Sequence, residues 1–322
     1  MPTYPQLKKD FVNTLNGLSG SRHKWNVFSD WLEITAITLH QAPYHAGDFP
    51  KDETFNQLEE KYLEVTKRYD RSELTEMAKL MGITLMAHQL QDGDFLGELA
   101  GEEELLSKWQ GQFFTPYSLS RLLAGMVLAN AREVLEEQGI ITISEPASGG
   151  GALVIACAEE LKHQGIDPRS CAQFDCIDVS RDAFNMTYIQ VVAQDLQAIV
   201  RHGNTLSLDI GESRPTPQLR YFNQWFKERQ AEAKLKLLLT DPDALFDSSA
   251  DEAVPPDAIA APKSVEAEQT QVASEPEQAS LFDMEGFAGS DTTSSRRPRR
   301  KADVVLPVDR QLGLFSKDRE AE

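Results

Sequence analysis

The residues best suited to do chemistry are Glu145-Pro146-Ala147-Ser148-Gly149-Gly150-Gly151. They follow a β-branched run of strand length, Ile140-Ile141-Thr142-Ile143, and precede a good helix from Ala152 to His163. Glycines between a strand and a helix let the backbone pass close to a ligand, and the amides at the helix N-terminus point at whatever binds there. Gln173 to Asp178 reads as a second strand, and Asp178 at its end is placed to accept hydrogen bonds from ribose hydroxyls. Turn and carboxylate together point to a nucleoside-containing ligand. No Gly-Lys-Ser/Thr follows, which excludes a triphosphate P-loop.

Other reactive residue types carry less. Cys157, Cys171 and Cys176 are too few for a disulfide framework and match no zinc spacing, so they read as reduced thiols. His40 and His45 lack the i, i+4 spacing that would pair them on one helix face, and they are expected on a loop or the surface. No metal site is expected. Near the C-terminus, Gln278-Ala279-Ser280-Leu281-Phe282 and Gln311-Leu312-Gly313-Leu314-Phe315 each present a glutamine and a Leu-Phe pair. Both resemble the peptide that bacterial DNA-handling proteins dock on the replication sliding clamp, an apolar-pocket contact suited to a flexible segment. The resemblance implies partner-binding roles for Gln278, Leu281, Phe282, Gln311, Leu312, Leu314 and Phe315; the alternative is accidental apolar spots in a linker.

The elements that must position these residues divide the chain by charge. Its 322 residues carry 51 acids and 32 bases, a net charge of −19. That excludes coating DNA through a basic surface, so any nucleic-acid contact is local or supplied by a partner. The imbalance is concentrated: Asp241 to Ser295 holds thirteen acids and one base, Lys263. Too little apolar surface is available there to offset backbone ordering, so residues 241–322 are expected to be a disordered acidic tail. The basic knot Arg296 to Lys301 touches phosphate or only balances the acids beside it, and the acidic run could itself imitate DNA. No apolar run reaches the roughly 18–20 residues a membrane span needs. No signal-peptide core opens the chain, so a cytoplasmic location is expected.

Before Asp241 the texture changes once. Trp25, Phe28, Trp31, Leu32 and Thr35 recur at helical spacing, as do Leu58, Tyr62, Val65 and Tyr69, then Leu74, Met77, Leu80 and Met81 up to a stop at Gly82. Such stripes mean core packing rather than a cofactor box. A long helix is expected from Tyr117 to Gly139, then the two strands, a helix from Arg181 to Arg201 and another from Gln218 to Leu239. Strand, glycine turn, helix, strand opens a doubly wound α/β fold.

Four segments in order carry a specific resemblance. Asp94-Phe95-Leu96-Gly97-Glu98-Leu99, Gly111-Gln112-Phe113-Phe114-Thr115-Pro116, Glu145 to Leu153, and Gly203-Asn204-Thr205-Leu206 resemble the adenine-specific DNA methyltransferases of type I restriction-modification systems. The family pattern is G-Q-F-Y/F-T-P followed by D-P-A-C-G-S-G-G-F/L. The departures here are Glu145, Ser148 and Gly150 for Asp, Cys and Ser. The resemblance implies that S-adenosylmethionine is bound, with Phe114, Thr115 and Pro116 at its methionine end. It puts Glu145, Gly149 and Gly151 as the floor, Asp178 on the ribose and Asn204 on the adenine. Asn204 reads equally well as a turn residue after Gly203.

The resemblance also implies an organisation: an N-terminal helical domain over residues 1–108, a methyltransferase-like Rossmann domain, whole or truncated, over 109–240, and the tail. It implies DNA and a partner subunit. The family's D/N/S-P-P-Y/F/W tetrapeptide, which holds the target amine and stacks the flipped base, does not occur. Thr216-Pro217-Gln218-Leu219 and Asp241-Pro242-Asp243-Ala244 come nearest, and both read better as a helix boundary and a turn. No catalytic residue is therefore assigned. The expected function is a DNA adenine methylase-like protein in a restriction-modification or mobile-element setting. The alternative is an inactive methylase-fold scaffold docked on the sliding clamp.

Overall fold

Alternation of burial along three strands fixes the sheet. Ile141 and Ile143 of β1 (Ile141–Glu145), Ala172, Phe174 and Cys176 of β2 (Ala172–Asp178), and Ala198 and Val200 of β3 (Gln197–Asn204) share one face. The parallel register aligns them in a row, Ile143 with Phe174 and Phe174 with Ala198. The opposite face carries Thr142, Ser144, Asp175, Ile177 and Arg201, all exposed or half-buried. The structure, a computed structural model, describes residues 2–20, 22–103 and 115–240, with backbone alone for 233–240. The expected domain boundary at 108 and the expected tail lie outside these residues.

In chain order α1 (Tyr4–Ser19), α2 (Lys24–Ala46), α3 (Glu53–Thr66), α4 (Arg71–Leu90) and α5 (Phe95–Glu102) form the N-terminal helices. Next come α6 (Tyr117–Val127), α7 (Ala131–Gln138), β1, α8 (Ala152–His163), α9 (Pro168–Cys171), β2, α10 (Arg181–Ala193), β3, β4 (Asp209–Pro215) and α11 (Pro217–Thr240). The sheet order is β1-β2-β3-β4, the first three strands parallel and β4 antiparallel to β3. Right-handed crossovers running one way put α8 and α10 on the same face. The expected α/β class therefore holds, in its truncated form: this is one wing of a doubly wound sheet, and no described strand lies beyond β1.

Several expected boundaries change. The helix from Tyr117 is two helices, broken at Leu128-Ala129-Asn130. Leu128 and Ala131 both turn inward there, and the Leu128 carbonyl accepts both the Ala131 amide and Gln164 Nε2 at 3.0 Å. The helix expected to reach Arg201 stops at Ala193, because Asp195 adopts a left-handed φ of 57° and the chain re-enters the sheet as β3. The antiparallel β4 was not expected. Its bulge at His202/Gly203 needs glycine, since a Cβ at Gly203 would run into the Asp209 carbonyl. Conversely, α4 runs through Gly82, whose Cα faces open space. The expected 152–163 helix is found at those limits.

Aromatic packing holds the N-terminal helices together. Phe11 meets Trp31 edge-on at 5.1 Å, and the Trp31 indole donates to the Met77 carbonyl at 3.0 Å. Every residue from Trp31 to Ile37 in α2 is buried, which explains its unusually wide apolar stripe. His40 is buried too, contrary to the expected loop or surface position. His40 lies on the face of α2 packed against α10, where its Nδ1 lies 3.0 Å from the Tyr188 hydroxyl. Burial, with Arg214 and Arg220 nearby, pushes the His40 imidazole down to about 3.

Between α2 and α10 lies a buried charge network. Glu33 accepts from Arg181 at 2.6 and 2.8 Å and from Asn185 at 2.9 Å, while Lys61 sits 3.0 Å away. Burial alone would raise the Glu33 carboxyl, but Arg181, Lys61 and Asn185 outweigh it and hold it well below the carboxylate range. Arg181 also pairs with Glu212, which in turn accepts from Arg214 at 2.6 Å. Arg214 is 1% exposed and lies over the rings of Phe184 and Tyr188.

Removing one member of a buried pair strands the other. Glu33→Ala should cost about 3–5 kcal/mol of unfolding free energy in denaturant titration. Lys79→Ala, whose partner Glu76 is on the exposed surface, should stay within about 0.5 kcal/mol. For His40 the folded pKa lies below the unfolded one, so its contribution is intact above about pH 6.5 and lost as pH falls toward 3. His40→Gln should therefore lose less stability than the native chain between pH 7 and pH 4.

Candidate functional site

The glycine turn is shaped by two left-handed residues, Gly149 at φ 56° and Gly151 at φ 97°. Any L side chain is strained there. The Gly151 amide closes the turn on the Ser148 carbonyl at 2.8 Å, and the Ser148 amide ties it to the Ile177 carbonyl of β2 at 2.9 Å. Asp178 clamps it from the side: one carboxylate oxygen accepts the Gly149 amide at 2.8 Å and the other the Ser180 amide at 2.8 Å. Burial raises the Asp178 pKa, with the Ser180 and Gly149 amides working against that rise. Gly150 is crowded as well, since a Cβ would come within 3.2 Å of Met186 Cε and 3.4 Å of Gly97 Cα.

The turn opens onto a cavity of about 170 Å³ lined by Thr115, Ser120, Leu123, Glu145, Gly149 and Leu153, among others. Gly150 N–H has no partner among the described residues, and Gly150 lines this cavity. Ser120 on α6 is fully buried with its hydroxyl unpartnered among the described residues. Tyr117 fixes α6 against α8 by donating to Glu159 at 2.6 Å. Glu145 folds back, accepting from the Ala147 amide at 3.1 Å. The cavity thus offers amide and hydroxyl donors, a carboxylate and an apolar wall.

Of the expected residues, Thr115, Glu145 and Gly149 line the cavity, Gly151 sets the turn, and Pro116 caps α6 beside it. Asp178 stands behind the turn rather than on the cavity wall. Asn204 is exposed, its side-chain oxygen accepting from the Leu206 and Ser207 amides at 2.9 and 3.4 Å, which is the turn role. Its neighbour Thr205 reaches the glycine turn instead, donating to the Pro146 carbonyl at 2.6 Å. Phe114 lies outside the described residues, as do Gln278, Leu281, Phe282, Gln311, Leu312, Leu314 and Phe315. Thr216 of the near-match Thr216-Pro217-Gln218-Leu219 is buried and caps α11 through the Leu219 amide, so it is structural. Ser120, Leu123 and Thr205 were not anticipated. Ser120 left a signal, a small polar residue on an apolar helix face.

Residues 95–233 match the family of N-6 DNA methylases. The match bears out the resemblance carried by the four motifs: three of them fall wholly within its limits and the fourth, residues 94–99, overlaps them. A protein from Listeria monocytogenes described as a class I S-adenosylmethionine-dependent methyltransferase is similar in structure, with a TM-score of 0.32 at 16% identity. The alignment covers 63% of this chain and 54% of that one. The type I restriction-modification system methyltransferase subunit from Streptococcus thermophilus gives a TM-score of 0.30 at 12% identity, over 60% of this chain and 56% of that one. This chain therefore spans about half the length of the solved structures it matches. No curated protein matches it.

Among the described residues no His, Cys, Asp and Glu cluster has the shape of a metal site, and no helix is long and apolar enough to cross a membrane. Cys157 and Cys176 are buried, and burial pushes the Cys157 thiol up to about 12, far from the thiolate a nucleophile requires. Within the N-6 DNA methylase-like segment, Gly151→Ala should destabilise the fold by about 1–2 kcal/mol through its left-handed φ alone. Gly82→Ala on α4 should instead stabilise it, by about 0.5–1 kcal/mol, in the same thermal unfolding measurement.

Proposed function

We propose that this chain binds S-adenosylmethionine at the glycine turn and serves methylation of the adenine amino group in DNA, in an assembly that supplies the substrate side of the pocket. The observation that carries the reading is the turn itself. Two left-handed glycines, Gly149 tied to a buried carboxylate and Gly151 to the Ser148 carbonyl, open a donor-lined cavity beside Thr115 and Glu145. The match to N-6 DNA methylases supports the same chemistry.

The residues present fit such a ligand in part. The cavity is smaller than the roughly 300–1,000 Å³ of a typical small-molecule site, so its described walls enclose one end of the cofactor. In this reading the free Gly150 amide and the Ser120 hydroxyl face the polar groups of the methionine end. Asp178, which can accept further hydrogen bonds beyond its two amides, holds the ribose hydroxyls. When bound, the cofactor supplies an electrophilic methyl group. The chain's own contribution is to bind and orient it. The tetrapeptide does not occur in the sequence, and among the described residues no strand lies beyond β1, so in this reading methyl transfer needs a further polypeptide segment. DNA and a partner subunit of a restriction-modification system are accordingly proposed as partners.

Titration calorimetry with S-adenosylmethionine tests the cofactor. Binding in the micromolar range is expected, with Asp178→Ala weakening it at least about tenfold. No heat at millimolar cofactor would remove the reading. Labelled methyl incorporation into DNA by the purified chain alone should be at background. Robust incorporation would show that the described half suffices and that the two-part arrangement is wrong.

A further inference from the structure

The glycine turn is held on its far side by two buried polar residues that neither the motifs nor the proposed chemistry uses. Thr187 and Gln190 lie three apart on the inner face of α10, and both are fully buried. The Thr187 hydroxyl donates to the Gly149 carbonyl at 2.9 Å. The Gln190 amide donates to the Gly150 carbonyl at 2.6 Å and to Asp94 at 2.7 Å, while its oxygen accepts the Leu96 amide at 3.0 Å. Asp94 in turn accepts the Gly97 amide at 2.9 Å. Two consecutive carbonyls of the turn are therefore drawn toward α10.

A trans peptide points its N–H opposite to its C=O. With the Gly149 carbonyl bound to Thr187, the Gly150 N–H of the same peptide unit must face away from α10, toward the cavity that Gly150 lines. Released from Thr187, that peptide could rotate with little hindrance, because glycine on either side accepts both signs of φ. Gln190 adds a second tether and extends it to the start of α5, so that turn and helix are set by one side chain.

We propose that Thr187 and Gln190 are positioning residues: they hold the glycine-turn peptides so that the Gly150 N–H is presented to the bound ligand, and Gln190 locks α5 to the same geometry. The ligand named here rests on the cofactor reading above; the clamp rests on hydrogen bonds alone. Neither residue touches the cavity.

The test uses the full chain with two readouts, amide hydrogen exchange without ligand and S-adenosylmethionine titration. Thr187→Val, which keeps the shape and loses the hydroxyl, and Gln190→Leu should speed exchange of the Gly149, Gly151 and, for Gln190→Leu, Leu96 amides about tenfold or more, and weaken cofactor binding about tenfold. Thr187→Ser, which restores the hydroxyl, should return both values near those of the native chain. Gln197→Leu removes another buried amide, at the opposite end of the sheet, where it bonds Gln173 and the Arg169 carbonyl. It should lower the melting temperature and leave turn exchange and affinity unchanged. Unaltered turn exchange in Thr187→Val, or no rescue by Thr187→Ser, would overturn the proposal. Should the native chain bind no S-adenosylmethionine, the cofactor reading fails while the exchange data still decide the clamp.

Discussion

The structure depends on α10 being enclosed on every side. From Asp182 to Val192 each of its residues is buried, and five of them are polar or ionisable: Asp182, Asn185, Thr187, Tyr188 and Gln190. A helix in that position cannot leave a polar group to water, so every such side chain must find a partner in another element. Asp182 takes the Ser29 hydroxyl, Asn185 donates to Glu33, Tyr188 meets His40, and Thr187 and Gln190 take the glycine turn. The partners come from α2, α5 and the β1–α8 turn. One helix thereby sets the N-terminal helices against the sheet and the turn against both, through directional bonds that a purely apolar interface would not impose.

That arrangement explains why the chain folds around half a sheet. A parallel sheet is normally covered on both faces. Here α8 and α10 cover one face with Phe174, Cys176 and Val200, and the other carries Thr142, Ser144 and the Asp175–Arg201 ion pair at 2.8 Å. Polar side chains on that second face tolerate water, and the antiparallel β4 with Thr216 satisfies the β3 edge, the Ala198 amide donating to the Thr216 hydroxyl at 3.0 Å. The opposite edge, β1, has no described neighbour. Stability is thus concentrated on the side of α10 and the N-terminal helices, away from the edge where a complete doubly wound sheet would continue. The exposed apolar side chains of α6, Met126 and Val127 foremost, lie on a helix that also lines the cavity beside the end of β1.

The legible and illegible parts of the sequence differ for physical reasons. Local rules were enough for the turn and α8, because positive-φ glycines between a β-branched run and an alanine-rich helix admit few other structures. They were enough for α2 as a helix, but not for His40, whose burial is decided by Tyr188 across 148 residues of sequence. They failed at β3, since Gln197-Ala198-Ile199-Val200 is a short, mainly apolar run whose residue types do not alternate, and it continues a helical pattern without a visible break. The break is Asp195 in a left-handed conformation, which tertiary packing selects and propensity disfavours. Of the candidate site, the backbone-shaping residues were readable from type and spacing. Ser120, Thr187, Gln190 and Thr205 were not, because each acts through a contact that exists only once the sheet and α10 are assembled.

Asp178 has a structural role beside the binding role proposed for it. As a structural group it is complete: its oxygens accept the Gly149 and Ser180 amides, and without it the Ser148–Ile177 backbone bond alone would tie the turn to the end of β2. A carboxylate nevertheless has about four acceptor directions, and backbone amides approaching from the protein side leave outer lone pairs unused. Burial raises its pKa while those amides restrain the rise, so the group is costly to desolvate further unless a ligand brings hydroxyl donors of its own. A ribose diol brings two. The structural bonds to Gly149 and Ser180 thus fix the carboxylate, and the proposed binding role draws on the acceptor directions that those amides leave.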